Sequence, residues 1–208
     1  MSKKENPERN KEKKSNNFII ICFTTDIQLY KPMDIIKKYL ELEQCSNIKY
    51  EKEIGVEYDH SSNAANWRMT KCIFYEISDI NKTFIQCSLA DSYLVFINLE
   101  SDGTETEIES ILKYIENNGK EGMKIYFIGL YIDKNNISCL NEKQEMIEFF
   151  DNKEINYEYN ELNYNSSNEL VKLISHISND TLKNKMYESL NQTLDKEKGQ
   201  GKSKCDIF

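Results

Sequence analysis

Residues 18–42 decide the fold and read Phe-Ile-Ile-Ile-Cys-Phe-Thr-Thr-Asp-Ile-Gln-Leu-Tyr-Lys-Pro-Met-Asp-Ile-Ile-Lys-Lys-Tyr-Leu-Glu-Leu. The first six residues are a short, continuous apolar run, which is typical of a strand buried on both faces of a parallel sheet. A polar loop follows this run. Pro32 then opens a helix that we predict over residues 33–42, because proline is favoured at the first helical position.

The rest of the chain continues this alternation. Apolar runs predict further strands at residues 54–58, 70–77, 93–99, 124–129 and 155–159. Periodicity predicts further helices at residues 105–117, 141–150 and 169–177. Such alternation implies an α/β fold with right-handed crossovers and a mostly parallel, six-stranded sheet flanked by helices. Ligands bind such sheets at the carboxyl ends of the strands, so a site is expected in the loops after Phe23, Ile77, Gly129 and Tyr159.

Polar tails are predicted on both sides of one domain in this chain of 208 residues. Residues 1–17 are expected to be a disordered arm, residues 18–177 the domain, and residues 178–208 a hypervariable tail. The net charge of −8 argues against a general nucleic-acid binder, which would cluster lysine and arginine. No apolar run approaches the length of a membrane span.

The six cysteines show neither a CxxC pair nor the spacing of a Cys/His metal site. Cys22, Cys72, Cys87 and Cys139 lie near apolar stretches, where a free thiol behaves as a small hydrophobic group. This pattern favours a reducing, cytosolic setting.

Three motifs carry a resemblance to a known family. Residues 53–58 (Glu-Ile-Gly-Val-Glu-Tyr) resemble Thr-Ile-Gly-Val-(Asp/Glu)-Phe at the end of the Rab switch I loop. Residues 75–80 (Tyr-Glu-Ile-Ser-Asp-Ile) lie where Rab proteins have Trp-Asp-Thr-Ala-Gly-Gln, and residues 128–133 (Ile-Gly-Leu-Tyr-Ile-Asp) line up with Ile-Gly-Asn-Lys-x-Asp. With the order of the elements, these motifs make residues 18–177 similar to Ras-superfamily small GTPases of the Rab branch. The resemblance implies a P-loop NTPase-like fold.

The phosphate-binding loop of that family is not preserved here. A P-loop needs glycines so that its backbone N–H groups can wrap the phosphates. The matching residues 24–32 contain no glycine, and Pro32 removes a backbone donor where the helix should face the anion. Tyr30 and its neighbours are expected to fill the phosphate space, and Asp26 adds a charge of the same sign as the phosphates. Lys31 alone is a candidate for the phosphate-binding lysine.

The resemblance implies further losses. Glu53 replaces the switch I threonine that contacts Mg²⁺, and Asp79 replaces the switch II glycine whose N–H meets the γ-phosphate. Ile80 replaces the glutamine that positions water, so we assign no catalytic residue and expect no hydrolysis by the family mechanism. Glu76 is the remaining candidate for binding Mg²⁺, and Asp133 is the one guanine-reading residue left. An aspartate after a strand is also typical of a turn or cap.

By the same resemblance, an effector surface is expected to include Ile54, Gly55, Val56, Trp67 and Tyr75. For Trp67, a place in the core of a hairpin is an equal alternative.

The last four residues, Cys-Asp-Ile-Phe, fit a C-a-a-X prenylation motif. A terminal phenylalanine favours attachment of geranylgeranyl to Cys205 by a prenyltransferase, with farnesyl as the other option. A single lipid gives reversible membrane attachment. We therefore expect the protein on the cytoplasmic face of a membrane, with a cytosolic pool.

Three functional hypotheses follow. The first is a Rab-like binding module that recruits effectors in vesicle trafficking and protein transport without binding a cofactor. The second is a divergent GTPase that still binds GTP or GDP with Mg²⁺ through Lys31, Glu76 and Asp133. The third is a constitutive subunit of a transport complex. The first is favoured, because each lost contact to phosphate or Mg²⁺ weakens binding by about 1–3 kcal/mol.

Overall fold

The computed structural model of the protein describes residues 17–42, 49–51, 55–60 and 70–200. Within these ranges the strands are β1 (Phe18–Thr24), β2 (Lys49–Glu51), β3 (Gly55–His60), β4 (Thr70–Glu76), β5 (Ser92–Asn98), β6 (Ile125–Tyr131) and β7 (Tyr157–Asn163). The α-helices are α1 (Pro32–Leu42), α2 (Thr104–Asn118), α3 (Lys143–Asp151) and α4 (Ser167–Gln200).

All the described strands belong to one sheet, in the order β2-β3-β4-β1-β5-β6-β7. The five strands from β4 to β7 in this order are parallel to one another. At the other edge β3 is antiparallel to β4, and β2 is antiparallel to β3. The predicted α/β fold with a mostly parallel sheet is confirmed. The predicted number of six strands is wrong, because the three-residue β2 is too short to give a periodic signal.

The four helices cover the two faces of the sheet. On β1, Phe18, Ile20 and Cys22 pack in a core with α1 and α4. The alternate side chains Ile21 and Phe23 pack in a second core with α2 and α3. Both sets are buried, which explains why the sequence of β1 is continuously apolar rather than alternating.

Two elements at the C-terminal side differ from their predicted bounds. Strand β7 begins and ends later than predicted and continues to Asn163. Helix α4 continues far beyond residue 177, and Ser178, Thr181 and Leu182 are buried. The hydroxyl groups of Thr181 and Ser92 are 2.8 Å apart, so the polar residues that resembled a solvated tail bond to the sheet.

Cysteine burial departs from expectation at one position. Cys22, Cys72 and Cys87 are buried free thiols, as predicted, but Cys139 is exposed. The 3₁₀ turn Cys139–Asn141 directs Asn141 inward and leaves Cys139 at the surface. Among the described helices, none combines the length and the apolar character needed to cross a membrane.

Candidate functional site

The candidate site lies where the chain leaves neighbouring strands in opposite directions. After β1 the chain passes through α1 to β3 and β4, whereas after β5 it passes through α2 to β6 on the other side. The carboxyl ends of β1 and β5 therefore form a topological switch point, where α/β sheets bind their ligands. We call this end the carboxyl edge and define it as the segments at residues 25–31, 76–80, 99–103 and 132–136, with the first turns of α1 and α2.

Asp26 closes the loop that follows β1. Its Oδ1 atom accepts hydrogen bonds from the backbone N–H groups of Gln28 and Leu29, at 3.1 and 3.0 Å. Its carbonyl oxygen accepts the N–H of Tyr30 at 2.8 Å. In an anion-binding loop, such consecutive N–H groups point at the ligand. Here they bond to a carboxylate and a carbonyl of the chain itself.

The side chain of Glu76, the last residue of β4, lies at the N-terminus of α1. Its Oε2 atom accepts the backbone N–H of Met33 at 3.0 Å. First-turn N–H groups have no acceptor within the helix and are the groups that bind an anion, and Pro32 contributes none. Burial raises the pKa of the Cys22 thiol, and the nearby Glu76 charge raises it further. A second anion at this position would meet the same negative charge.

Two buried asparagines link the loops to one another through hydrogen bonds. Asn98 donates from Nδ2 to Asp26 Oδ2 at 3.0 Å, and its N–H donates to Thr25 Oγ1 at 2.9 Å. Asn141 Nδ2 donates to the carbonyl oxygens of Leu99 and Ser101, at 3.0 and 2.7 Å. Neither residue was predicted from the sequence to belong to the site. The one sequence signal was the place of Asn98 at the end of an apolar run.

Asp133 serves as a turn cap. Its Oδ1 accepts the N–H of Asn135 at 3.0 Å, which caps the 3₁₀ turn Lys134–Asn136. Its own N–H donates to Glu100 Oε1 at 2.8 Å. The contacts of Asp133 are therefore those of a turn cap. Glu100 is a further residue of the site, and it was not predicted from the sequence.

Lys31, the candidate phosphate lysine, lies at the surface. Its backbone carbonyl accepts N–H groups from the first turn of α1. Its ammonium group makes no hydrogen bond or ion pair with any residue that the structure describes. Lys31 is thus near the switch point, but it is not held by Glu76 or Asp133.

Tyr30 is turned into the core rather than into an open phosphate space. It is fully buried, and its ring lies against Tyr164 with centroids 5.0 Å apart. Gln28 and Leu29 are exposed. The prediction that Tyr30 and its neighbours fill the phosphate space is therefore wrong. Hydrogen bonds within the loop occupy its N–H groups instead. The Tyr30 hydroxyl has no partner in the described part of the chain, and burial, with smaller contributions from Glu100 and Asp26, raises its pKa to about 12.

The predicted effector surface is described only in part. Gly55 and Val56 lie on β3. Tyr75 lies on β4, is half-buried, and packs against the core formed with α2 and α3. Ile54, Trp67 and Cys205 lie outside the described residues.

The charge of the carboxyl edge is predominantly negative. Asp79 is paired with Lys82 at 3.0 Å. Asp26, Glu76 and Glu100 have no lysine, arginine or histidine partner within the described ranges. Such an edge repels a triphosphate. Searched over the same ranges, no group of three or more histidine, cysteine or acidic residues is arranged to hold a metal ion.

Comparison with known proteins adds no assignment. Neither the scan against models of protein families nor the search of curated proteins finds a match. The geometry of the carboxyl edge and the sequence motifs are therefore the basis for a functional proposal.

Proposed function

We propose that the chain is a Rab-like protein of small-GTPase fold that recruits partner proteins in membrane trafficking and does not use a nucleotide cycle. The observation that supports this most strongly is the occupation of the β1 loop and the α1 N-terminus by carboxylates of the chain itself. Asp26 and Glu76 take the N–H groups that a phosphate would need.

The energetics favour the same reading. A phosphate would have to replace the bonds that the N–H groups of Gln28 and Leu29 donate to Asp26, and each bond to a charged acceptor contributes roughly 1.5–3 kcal/mol. The displaced carboxylate would stay beside the phosphate and repel it. Together these terms remove the tight nucleotide affinity on which a switch depends.

The direction of α4 fits attachment through a C-terminal lipid. At Lys185 the helix has reached the amino ends of the strands, where Lys185 Nζ bonds to Asp91 Oδ2 at 2.8 Å. From there to Gln200 the helix extends about 22 Å further at 1.5 Å per residue. The carboxyl edge lies at the opposite end of the sheet from this end of α4.

Binding of a fluorescent GDP or GTP analogue to the purified full-length chain, with and without Mg²⁺, tests the proposal. We expect no saturable binding at nucleotide concentrations up to about 100 μM. Micromolar or tighter, Mg²⁺-dependent binding would contradict the proposal and favour the divergent GTPase.

Membrane fractionation in cells tests the lipid anchor separately. We expect Cys205→Ser to move the protein to the soluble fraction, and Cys139→Ser, which alters an exposed cysteine outside the motif, to leave it in place. An unchanged distribution of the Cys205→Ser variant would refute the anchor.

A further inference from the structure

A cavity of about 270 Å³ opens at the carboxyl edge between the loop after β1, the loop after β4 and the first turns of α2. Its floor is formed by the buried side chains of Phe23, Ile77 and Ile111. Ile27 and Ile80 flank it, and each is 37% exposed. The volume lies just below the range of about 300–1,000 Å³ found for small-molecule sites, so it suits a side chain better than a whole nucleotide.

The rim of this cavity carries a carboxylate that has no partner. Glu107, on the first turn of α2, lines the cavity and makes no hydrogen bond or ion pair with a residue that the structure describes. Partial burial and the charge of Asp26 raise the pKa of the Glu107 carboxyl. Asp26 does not line the cavity but lies in the chain between the lining residues Thr25 and Ile27, and it also lacks a cationic partner within these ranges. The mouth of the cavity therefore favours a positive group.

We propose that this cavity is a docking site for a segment of a partner protein that inserts one apolar side chain and places an adjacent lysine or arginine against Glu107 and Asp26. The apolar floor favours the apolar side chain, and the two carboxylates are complementary to the charge of the lysine or arginine. This inference rests on the proposed recruiting function and gives it a partner chemistry. It also places a contact on the α2 side of the carboxyl edge.

The C-terminal residues of the same chain have similar chemistry, with Lys202 and Lys204 before Ile207 and Phe208. The described part of α4 runs away from the cavity as far as Gln200, so a partner segment is the proposed occupant. A second copy would bring its own acidic edge, which disfavours face-to-face pairing.

Methyl NMR of the full-length chain with labelled isoleucines tests the proposal. The probe is N-acetyl-leucyl-arginine amide, and its matched control is the citrulline analogue, which keeps the shape of arginine but carries no charge. We expect saturable shifts at Ile27, Ile77, Ile80 and Ile111, with the charged probe binding roughly two- to fivefold more tightly. Glu107→Gln should reduce this difference. Glu105→Gln, an exposed first-turn residue that does not line the cavity, should preserve it.

Several results would overturn the proposal. These are equal binding of the two probes, shifts at other isoleucines, or unchanged binding to Ser110→Phe, a variant that fills the cavity from α2. Shifts that depend on protein concentration without any probe would assign the cavity to a second copy instead. Adding GTP and Mg²⁺ in the same experiment separates the two proposals, since nucleotide binding would contradict the proposed function whatever the probes do.

Discussion

The two ends of the sheet use their carboxylates in different ways. At the carboxyl edge, Asp26, Glu76 and Glu100 accept backbone N–H groups and have no cationic side-chain partner among the described residues. At the amino ends of the strands, carboxylates instead pair with Lys124 and Lys185. At one end of the sheet, acidic side chains accept hydrogen bonds within the loops, and negative charge accumulates there. At the other end, acidic side chains form ion pairs with lysines, and these pairs hold a helix against the sheet.

We call the second region the amino edge and define it by Lys124, Glu158, Asp180, Lys185 and Asp91. Lys124 Nζ lies 2.8 Å from carboxylate oxygens of both Glu158 and Asp180. Lys185 Nζ lies 2.8 Å from Asp91. Asp180 and Lys185 belong to α4, so these pairs hold that helix against the sheet.

The largest predicted effect concerns Lys124→Met. The substitution leaves Glu158 and Asp180 without the cation between them, and we expect a loss of about 2 kcal/mol in the free energy of unfolding at neutral pH. Chemical denaturation measures it. Lys113→Met, at an exposed lysine on α2, is the matched control and should change stability by less than about 0.5 kcal/mol. Equal losses of stability in the two variants would contradict the claim that the ion pairs of the amino edge stabilise the fold.

The same pair of carboxylates predicts a pH dependence. Burial opposes ionisation of Glu158 and Asp180, but hydrogen bonds and charge from Lys124 outweigh it and lower the pKa of each. The unfolded chain therefore binds more protons than the folded chain as the pH falls. The ion pairs contribute to stability above the ordinary pKa values of 4.5 for Glu158 and 3.8 for Asp180, and this contribution is lost as the pH falls through the lowered pKa values of the folded chain. Between about pH 6 and pH 3, the free energy of unfolding should decrease less steeply with falling pH for Lys124→Met than for the unaltered chain. Chemical denaturation at each pH measures it. Parallel curves would contradict this.

A pair of buried tyrosines sharpens the comparison. Tyr126, near the amino edge, donates its hydroxyl to Asp180 Oδ2 at 2.5 Å, whereas the Tyr30 hydroxyl at the carboxyl edge has no described partner. We expect Tyr126→Phe to destabilise the protein by about 1.5 kcal/mol and Tyr30→Phe to stabilise it by up to about 1 kcal/mol. Thermal or chemical unfolding measures both. Changes of the same sign would contradict the account.

The smallest predicted effect is at Glu76. Loss of the acceptor for the Met33 N–H in Glu76→Ala should cost about 1 kcal/mol, in the range of helix-capping substitutions. Glu76→Gln keeps an oxygen at that position and should cost less. If Glu76→Gln were the more harmful variant, a role as cap would not explain the residue.

Much of the fold could be predicted from the sequence, because its elements have strong local signals. The run before Thr24 and the periodicity of α2 are examples, and both predictions agree with the structure to within a residue or two. The end of α4 could not be predicted, because Ser178 and Thr181 look solvated until their burial against the sheet is known.

The closure of the candidate site was predicted only in part. The missing glycines and the presence of Asp26 were visible in the sequence. The bonds from Asn98 and Glu100 join loops far apart in the chain, so no local pattern announces them. The inward direction of Tyr30 depends on Tyr164, which belongs to the loop after β7.

The most direct test of the central claim is an amide NMR spectrum of the full-length chain, recorded with and without about 1 mM GTP and Mg²⁺. The resonances to follow are the backbone N–H groups of Gln28, Leu29 and Met33, which bond to Asp26 and Glu76. We predict that all three stay at the same positions when nucleotide is added. Saturable shifts of these three amides would show that a phosphate displaces the carboxylates and would contradict the account.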